Sequence, residues 1–298
     1  MLSFLKKNGF VLGLMIAVGL TNAWISWWNP MESSLRFYKN DFTKTLYHHN
    51  WSRSGPVFFG NSSVTGAYIE EKSSSHLVEM GLSYGKPTDL KEILQRNLYQ
   101  VNDELVIGID VQTMLDKLDT DPTYQWLKPW YQPYVYTYRD YFRDSGEEFT
   151  RNLSKGSLAY QPRWIDKELY FEHKDPAWLK AKWEDYDKRF GWMQLKDMQA
   201  SIDALQWVIN YATEHHLPLR VIWMPYHSGY PHPPYTASLK EDVNRRLQAS
   251  RIPTLDLMDK YEPKYFSDLV HLNRIDGAPL FTKEVDAWLE SLKKSSKS

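Results

Sequence analysis

The chain contains no cysteine, which excludes disulfides, thiolate metal sites and a cysteine nucleophile. It also has no charge imbalance: 36 Lys and Arg stand against 37 Asp and Glu, for a formal net charge of -1. That balance gives no electrostatic reason to expect a nucleic-acid partner. No internal repeat is visible, and no His-Glu-x-x-His or similar ligand spacing occurs. Neither a metal nor another cofactor is therefore expected. Long apolar runs are missing too, with one exception: Gly9 to Trp28 (GFVLGLMIAVGLTNAWISWW) carries no charge over 20 residues.

Twenty helical residues reach about 30 Å, the thickness of a bilayer's hydrocarbon core. Lys6 and Lys7 precede the run, and Trp24, Trp27 and Trp28 suit the far interface as an aromatic belt. The positive-inside rule places the amino end in the cytoplasm and the bulk of the chain outside. A cleaved signal peptide is the alternative, since Thr21-Asn22-Ala23 loosely matches a cleavage site. Continuation of the apolar run through Trp28 favours a retained anchor. The expected division is a cytoplasmic tail over 1–8, an anchor over 9–28 and a juxtamembrane spacer over 29–52. An extracytoplasmic domain over 53–292 and a polar tail over 293–298 follow.

Within that domain strands and helices alternate. Pro56 to Phe59, His76 to Ser83, Leu105 to Ile109, Leu219 to Met224 and Ile252 to Leu257 read as strands. Thr88 or Asp89 can cap a helix running to about Tyr99. Leu195, Met198, Ile202, Leu205, Ile209 and Ala212 recur at helical spacing, Thr236 to Gln248 forms a further helix, and Gly277 opens a C-terminal one. Strands separated by helices of this length imply a parallel sheet with helices on both faces. The alternation breaks between about 112 and 190, where charges are many, aliphatic residues few and aromatics dense. This stretch reads as an insertion packed over one end of the sheet. Its rings either form a small core of their own or line a groove suited to the flat faces of sugars.

Candidate chemistry begins at Gly60-Asn61-Ser62-Ser63, directly after the first strand. A strand ending in a tight turn, with a hydroxyl at the start of the next helix, can expose a nucleophile. The same serines would equally serve as N-caps. The balance is tipped by Phe266-Ser267-Asp268-Leu269-Val270-His271-Leu272-Asn273, which lies between the last strand and the last helix. An Asp three residues before a His in a turn can hold the imidazole Nδ1 while Nε2 serves a serine hydroxyl. Sites in open parallel sheets form at the carboxyl ends of strands, where both stretches fall. Ser62 is thus the expected nucleophile, with Ser63 the expected cap. A metal site built from His227 and His232 with Asp268 or His271 is a weaker alternative. His227 follows a strand end and is expected near the mouth of the site.

The order strand–Gly-Asn-Ser, then Gly85, then Asp-x-x-His-Leu-Asn resembles the SGNH (GDSL-type) hydrolase superfamily. It is most similar to the membrane-anchored bacterial branch with the alginate O-acetylation proteins and the lipoteichoic acid D-alanine transfer protein. The resemblance covers 56–110 and 193–292 and leaves out the aromatic insertion. It implies a three-layer flavodoxin-like α/β fold. It also implies Ser62 as nucleophile, His271 as general base and Asp268 as its orienting partner. The backbone N–H groups of Ser62 and Gly85 would donate to the oxyanion, with help from Asn61. His227, Trp126, Trp130 and Asn273 are the candidate substrate-binding residues. Two positions depart from the pattern: Asn61 stands where the family has Asp, and Gly108-Ile109-Asp110-Val111 replaces Gly-x-Asn-Asp. An ionised Asp110 cannot donate a hydrogen bond.

Two functions follow from this resemblance. One is acyl transfer or ester hydrolysis on a glycan or cell-envelope polymer, beside a membrane-bound O-acyltransferase. The other is a non-catalytic module that binds polysaccharide or scaffolds such an acyltransferase.

Overall fold

The computed structural model describes residues 2–28, 54–82, 84–97, 100–115, 150 and 171–295. The spacer over 29–52, Trp126, Trp130 and most of the aromatic insertion lie outside the described residues. Helix α1 (Leu2–Trp28) covers the uncharged run. Among the described residues no helix is long and apolar enough to cross a membrane, and the side chains at both ends of α1 lie outside them.

Five parallel strands form one sheet: β1 (Ser54–Gly60), β2 (Val78–Gly81), β3 (Gln100–Ile109), β4 (Leu219–Trp223) and β5 (Thr254–Asp256). Their order across the sheet is β2-β1-β3-β4-β5. This is the flavodoxin-like arrangement, whose topological switch point lies between β1 and β3. The helices are α2 (Ser62–Ala67), α3 (Pro87–Gln95), α4 (Pro176–Phe190), α5 (Gln199–Glu214), α6 (Thr236–Ala249) and α7 (Gly277–Ser295).

The two-residue period of the strands sorts their side chains into two cores. Val57, Phe59, Leu105, Ile107, Val221 and Trp223 face one way and pack with the apolar stripes of α3, α5 and α6. Phe58, Val106 and Ile222 face the other way and pack with Val64 of α2 and Phe281, Val285 and Leu289 of α7. Strands buried on both faces are continuous apolar runs, which is why β1, β3 and β4 are visible in the sequence.

Local chemistry sets the helix ends, and here two expectations are corrected. Helix α3 begins at Pro87 rather than at a Thr88 or Asp89 cap. Asp89 sits in the first turn and its Oδ2 accepts from the Lys86 N–H at 2.8 Å. The helix after β1 starts at Ser62 and ends at Ala67, and its cap is Asn61, not Ser63. The carboxamide oxygen of Asn61 accepts from the Ser63 N–H at 2.8 Å and from the Ser63 hydroxyl at 2.5 Å. Asn61 is the extended residue just before the helix, the position from which a side-chain oxygen reaches the amides of the first turn, whereas Ser63 already lies inside that turn.

Glycine brings α2 down onto the sheet. A methyl group at Gly60 or Gly108 would collide with the Val64 side chain. The absence of Cβ at both strand ends lets the Ser62 turn sit directly over β1 and β3.

Candidate active site

Ser62 lies at the first position of α2, at the carboxyl end of β1. His271 lies on the loop that connects β5 to α7. Although 209 residues separate them, Ser62 Oγ and His271 Nε2 are 2.8 Å apart. His271 Nδ1 is 2.9 Å from Asp268 Oδ1 and 2.8 Å from Oδ2. The three side chains form one hydrogen-bonded chain, with Asp268 buried and Ser62 and His271 half-buried. That gradient suits general-base activation of a hydroxyl: the carboxylate is shielded and the oxygen is reachable.

The loop that carries Asp268 and His271 is closed on itself. Phe266 and Leu272 form an antiparallel bridge, and the Ser267 N–H donates to the His271 carbonyl at 2.8 Å. Asp268 Oδ1 also accepts from the backbone N–H of Val270 (3.0 Å) and of His271 (2.9 Å). Burial alone would push the Asp268 carboxyl up, but the His271 imidazole and these N–H groups outweigh it and hold it below the usual range. Asp268 is therefore ionised at neutral pH and fixes the His271 proton on Nδ1, leaving Nε2 to accept from Ser62. The Arg274 guanidinium donates to the Thr65 carbonyl at 3.1 Å, tying the loop to α2.

The expected oxyanion donors are placed differently from the sequence reading. The Gly85 N–H donates to the Leu82 carbonyl at 3.0 Å, so its turn consumes the amide. Asn61 is committed at both ends: its oxygen caps α2, and its amide bonds the Asp110 carboxyl. Asp110, only 4% exposed, lies at the end of β3 and its Oδ1 accepts from the Gln112 N–H at 2.7 Å. Burial pushes the Asp110 carboxyl above the usual range, against the opposing pull of Gln112, His271 and Asn61.

Two candidate substrate residues turn out to be structural. Asn273 is 0% exposed; its Oδ1 accepts from the N–H groups of Ile275, Asp276 and Gly277, and its Nδ2 donates to the Lys264 carbonyl. It caps the start of α7. His227 is buried, its backbone N–H donating to the Leu269 carbonyl of the catalytic loop and its Nδ1 accepting from the Gly229 N–H. Burial lowers its pKa, against the pull of Asp268. His232 faces Asp259 instead, at 2.6 Å. Among the described residues no group of three potential metal ligands converges.

Sequence reasoning missed the groups that border the triad from the insertion. The Lys174 N–H donates to the Ser267 carbonyl (2.9 Å) and His173 Nδ1 lies 2.9 Å from the Phe266 carbonyl, so this segment runs along the catalytic loop. Helix α4 follows, fixed to the proline-rich loop by a Trp183 Nε1–H bond to the Pro231 carbonyl and by stacking of Trp183 on Tyr230. Burial raises the Tyr186 pKa, and the charges of Tyr84, Asp268 and Asp110 add to that. The spacing Trp183, Tyr186, Phe190 was the available signal, one aromatic face on one helix.

The topology defines an α/β protein of flavodoxin-like fold, with the Ser62–His271–Asp268 hydrogen-bonded chain at the carboxyl end of its sheet. No family model matches the sequence, and no curated protein matches it. Two solved structures are similar in shape. One is a candidate acylhydrolase of Bacteroides fragilis NCTC 9343, with a TM-score of 0.42, 13% identity, and coverage of 80% of this chain and 88% of that one. The other is an acetyl xylan esterase, with a TM-score of 0.42, 13% identity, and coverage of 78% of this chain and 98% of that one.

Proposed function

We propose that this chain is a membrane-anchored, extracytoplasmic acyltransferase or esterase that acts on O-acyl groups of a cell-envelope or exported polysaccharide. The observation that carries the reading is the 2.8 Å contact between Ser62 Oγ and His271 Nε2, completed by Asp268. Ser62 attacks the acyl carbonyl as His271 takes its proton; His271 then returns that proton to the departing alcohol. The acyl-enzyme passes its acyl group to a sugar hydroxyl or to water. The aromatic residues of α4, Trp183, Tyr186 and Phe190, are of the kind that suits the apolar faces of sugar rings.

The anchor rests on the sequence: 20 uncharged residues, preceded by lysines and closed by tryptophans, match a single span with the amino end in the cytoplasm. This places the domain at the outer face of a bacterial cytoplasmic membrane, within reach of a membrane-bound O-acyltransferase that would supply the donor. Commitment of Gly85 and Asn61 within their own turns favours a second reading, a non-catalytic polysaccharide-binding or scaffold partner of that enzyme.

The deciding experiment incubates the purified chain with an O-acetylated polysaccharide and follows both acetate release and transfer to an added acceptor. Turnover that is lost in Ser62→Ala supports catalysis. Tight polysaccharide binding without turnover, unchanged in Ser62→Ala, establishes the binding module instead.

A further inference from the structure

We infer that Thr65 is a positioning residue for the nucleophile: bonded to the buried Glu79, its hydroxyl sets the rotation of α2 and so keeps Ser62 Oγ within reach of His271 Nε2. The inference rests on the acyl-transfer reading above and adds to it the device that holds the two reacting segments in register.

The need for such a device comes from the length of α2. It has six residues, Ser62–Ala67, and a helix that short is not stable by itself in water. Val64 sets its depth, because that side chain sits on the glycines at the ends of β1 and β3. Depth is not rotation. A turn of about 20° about the helix axis, on a Cα radius of about 2.3 Å, moves the backbone by about 0.8 Å. Such a shift can stretch the Ser62–His271 contact from 2.8 Å to about 3.6 Å, beyond hydrogen-bond range.

Thr65 resists that turn through two polar groups. Its hydroxyl donates to Glu79 Oε1 on β2 at 3.0 Å, and its carbonyl accepts from the Arg274 guanidinium at 3.1 Å. Arg274 belongs to the loop that carries His271. The helix with the nucleophile and the loop with the base are therefore tied at one residue. Thr65 and Glu79 are both buried, so water does not compete for the bond between them. Glu79 is itself held: the same Oε1 accepts from the Gly81 N–H at 2.6 Å, and the Glu79 N–H donates to the Glu70 carboxyl. A buried carboxyl is costly where its hydrogen bonds are not made. Its place between Val78 and Met80 needs a task, and steadying Thr65 supplies one.

Glycine makes the approach possible. Gly81 pairs with Gly60 in the sheet, and the Leu82 N–H donates to the Gly60 carbonyl at 2.9 Å. A methyl group at Gly81 would collide with Thr65 Oγ1, Glu79 Oε1 and the Asn61 carbonyl oxygen. The end of β2 is thus pressed against both the nucleophile turn and the hydroxyl that steadies it.

The test compares full-length Thr65→Val, which keeps the shape and removes the hydroxyl, with Thr65→Ser, which keeps the hydroxyl. Each is assayed well below its own Tm for p-nitrophenyl acetate hydrolysis and for the rate of Ser62 phosphonylation by a fluorophosphonate. Thr65→Val should lower kcat and the phosphonylation rate together by about 10–100-fold, with KM within about twofold, the loss expected for a nucleophile about 1 Å out of place. Thr65→Ser should stay within about threefold of wild type in both. A merely structural hydroxyl would change Tm and leave the folded fraction as reactive as wild type. If Thr65→Val does not fold, Thr65→Ala against Thr65→Ser makes the same comparison. Failure of both apolar variants to fold assigns the hydroxyl to the fold alone and overturns the proposal. So does a folded Thr65→Val or Thr65→Ala that phosphonylates about as fast as wild type, or a Thr65→Ser that loses as much as Thr65→Val. Absence of any Ser62-dependent hydrolysis or phosphonylation in the wild type overturns the acyl-transfer reading itself, which separates the two failures.

Discussion

Replacing Asp268 by Asn changes one atom and should invert the direction of every hydrogen bond through His271. Asp268 Oδ1 accepts from the backbone N–H groups of Val270 and His271, and the carbonyl oxygen of Asn would keep both bonds. Its NH₂ group then falls at the Oδ2 position, 2.8 Å from His271 Nδ1. Two donors cannot face each other, so the imidazole proton moves to Nε2. That nitrogen lies 2.8 Å from Ser62 Oγ and would now donate to the hydroxyl instead of accepting its proton. Loss of the base by tautomer reversal lowers kcat about 10⁴-fold in serine hydrolases, about 5.4 kcal/mol of transition-state stabilisation. The assay is ester hydrolysis by purified wild type and Asp268→Asn, with thermal unfolding measured alongside. The variant should still fold at neutral pH, because the acceptor for both backbone N–H groups survives, and should lose only the stability that the ionised carboxylate contributes. If Asp268→Asn keeps more than about a tenth of wild-type kcat, the hydrogen-bonded chain does not operate as a triad.

The remaining expectations concern stability, the insertion and the anchor. Asn273→Ala should cost about 2–3 kcal/mol by stripping the α7 cap, while kcat of the folded fraction stays near wild type; a rise in KM without loss of stability would restore a substrate role. Because the folded Asp268 carboxyl lies below its unfolded value, its contribution to stability is present above about pH 4 and is lost as pH falls through the folded pKa. The stability difference between wild type and Asp268→Asn should therefore shrink as pH falls below the unfolded carboxylate value; a difference that stays constant through that range would contradict the assignment. Tyr186→Ala should raise KM for a polysaccharide substrate about tenfold and leave p-nitrophenyl acetate hydrolysis little changed; equal effects on both substrates would remove Tyr186 from the glycan wall. Deleting residues 2–28 should release the domain from washed membranes; retention in the membrane fraction would refute the single anchor.

Much of this was legible in the sequence because the physics was local. Runs such as Val57–Phe59 and Leu105–Ile109 are buried on both faces and read as apolar wherever they are cut. The spacing of Ile202, Leu205, Ile209 and Ala212 declares the buried stripe of α5, while Leu195 and Met198 fall in the turn before it. Asp268 and His271 are three residues apart, so their pairing was a short-range inference. What escaped was the choice among neighbouring polar groups. Asn61 and Ser63 are both good caps on propensity, and only the entry of the chain from β1 selects Asn61. Asn273 follows the His271 motif and reads as part of the site, yet the turn into α7 aims its oxygen at three amides instead. Tyr186 and Asp110 meet the triad only through tertiary packing, across separations that no sequence window spans.

The central claim is that Ser62 is a nucleophile with His271 as its base. It is tested most directly by treating the full-length chain with a fluorophosphonate and locating the adduct by peptide mass spectrometry. The account predicts stoichiometric phosphonylation at Ser62, absent in Ser62→Ala and strongly slowed in His271→Ala. A folded wild-type chain that gains no adduct, or one that is modified at Ser63 with Ser62 untouched, would contradict it.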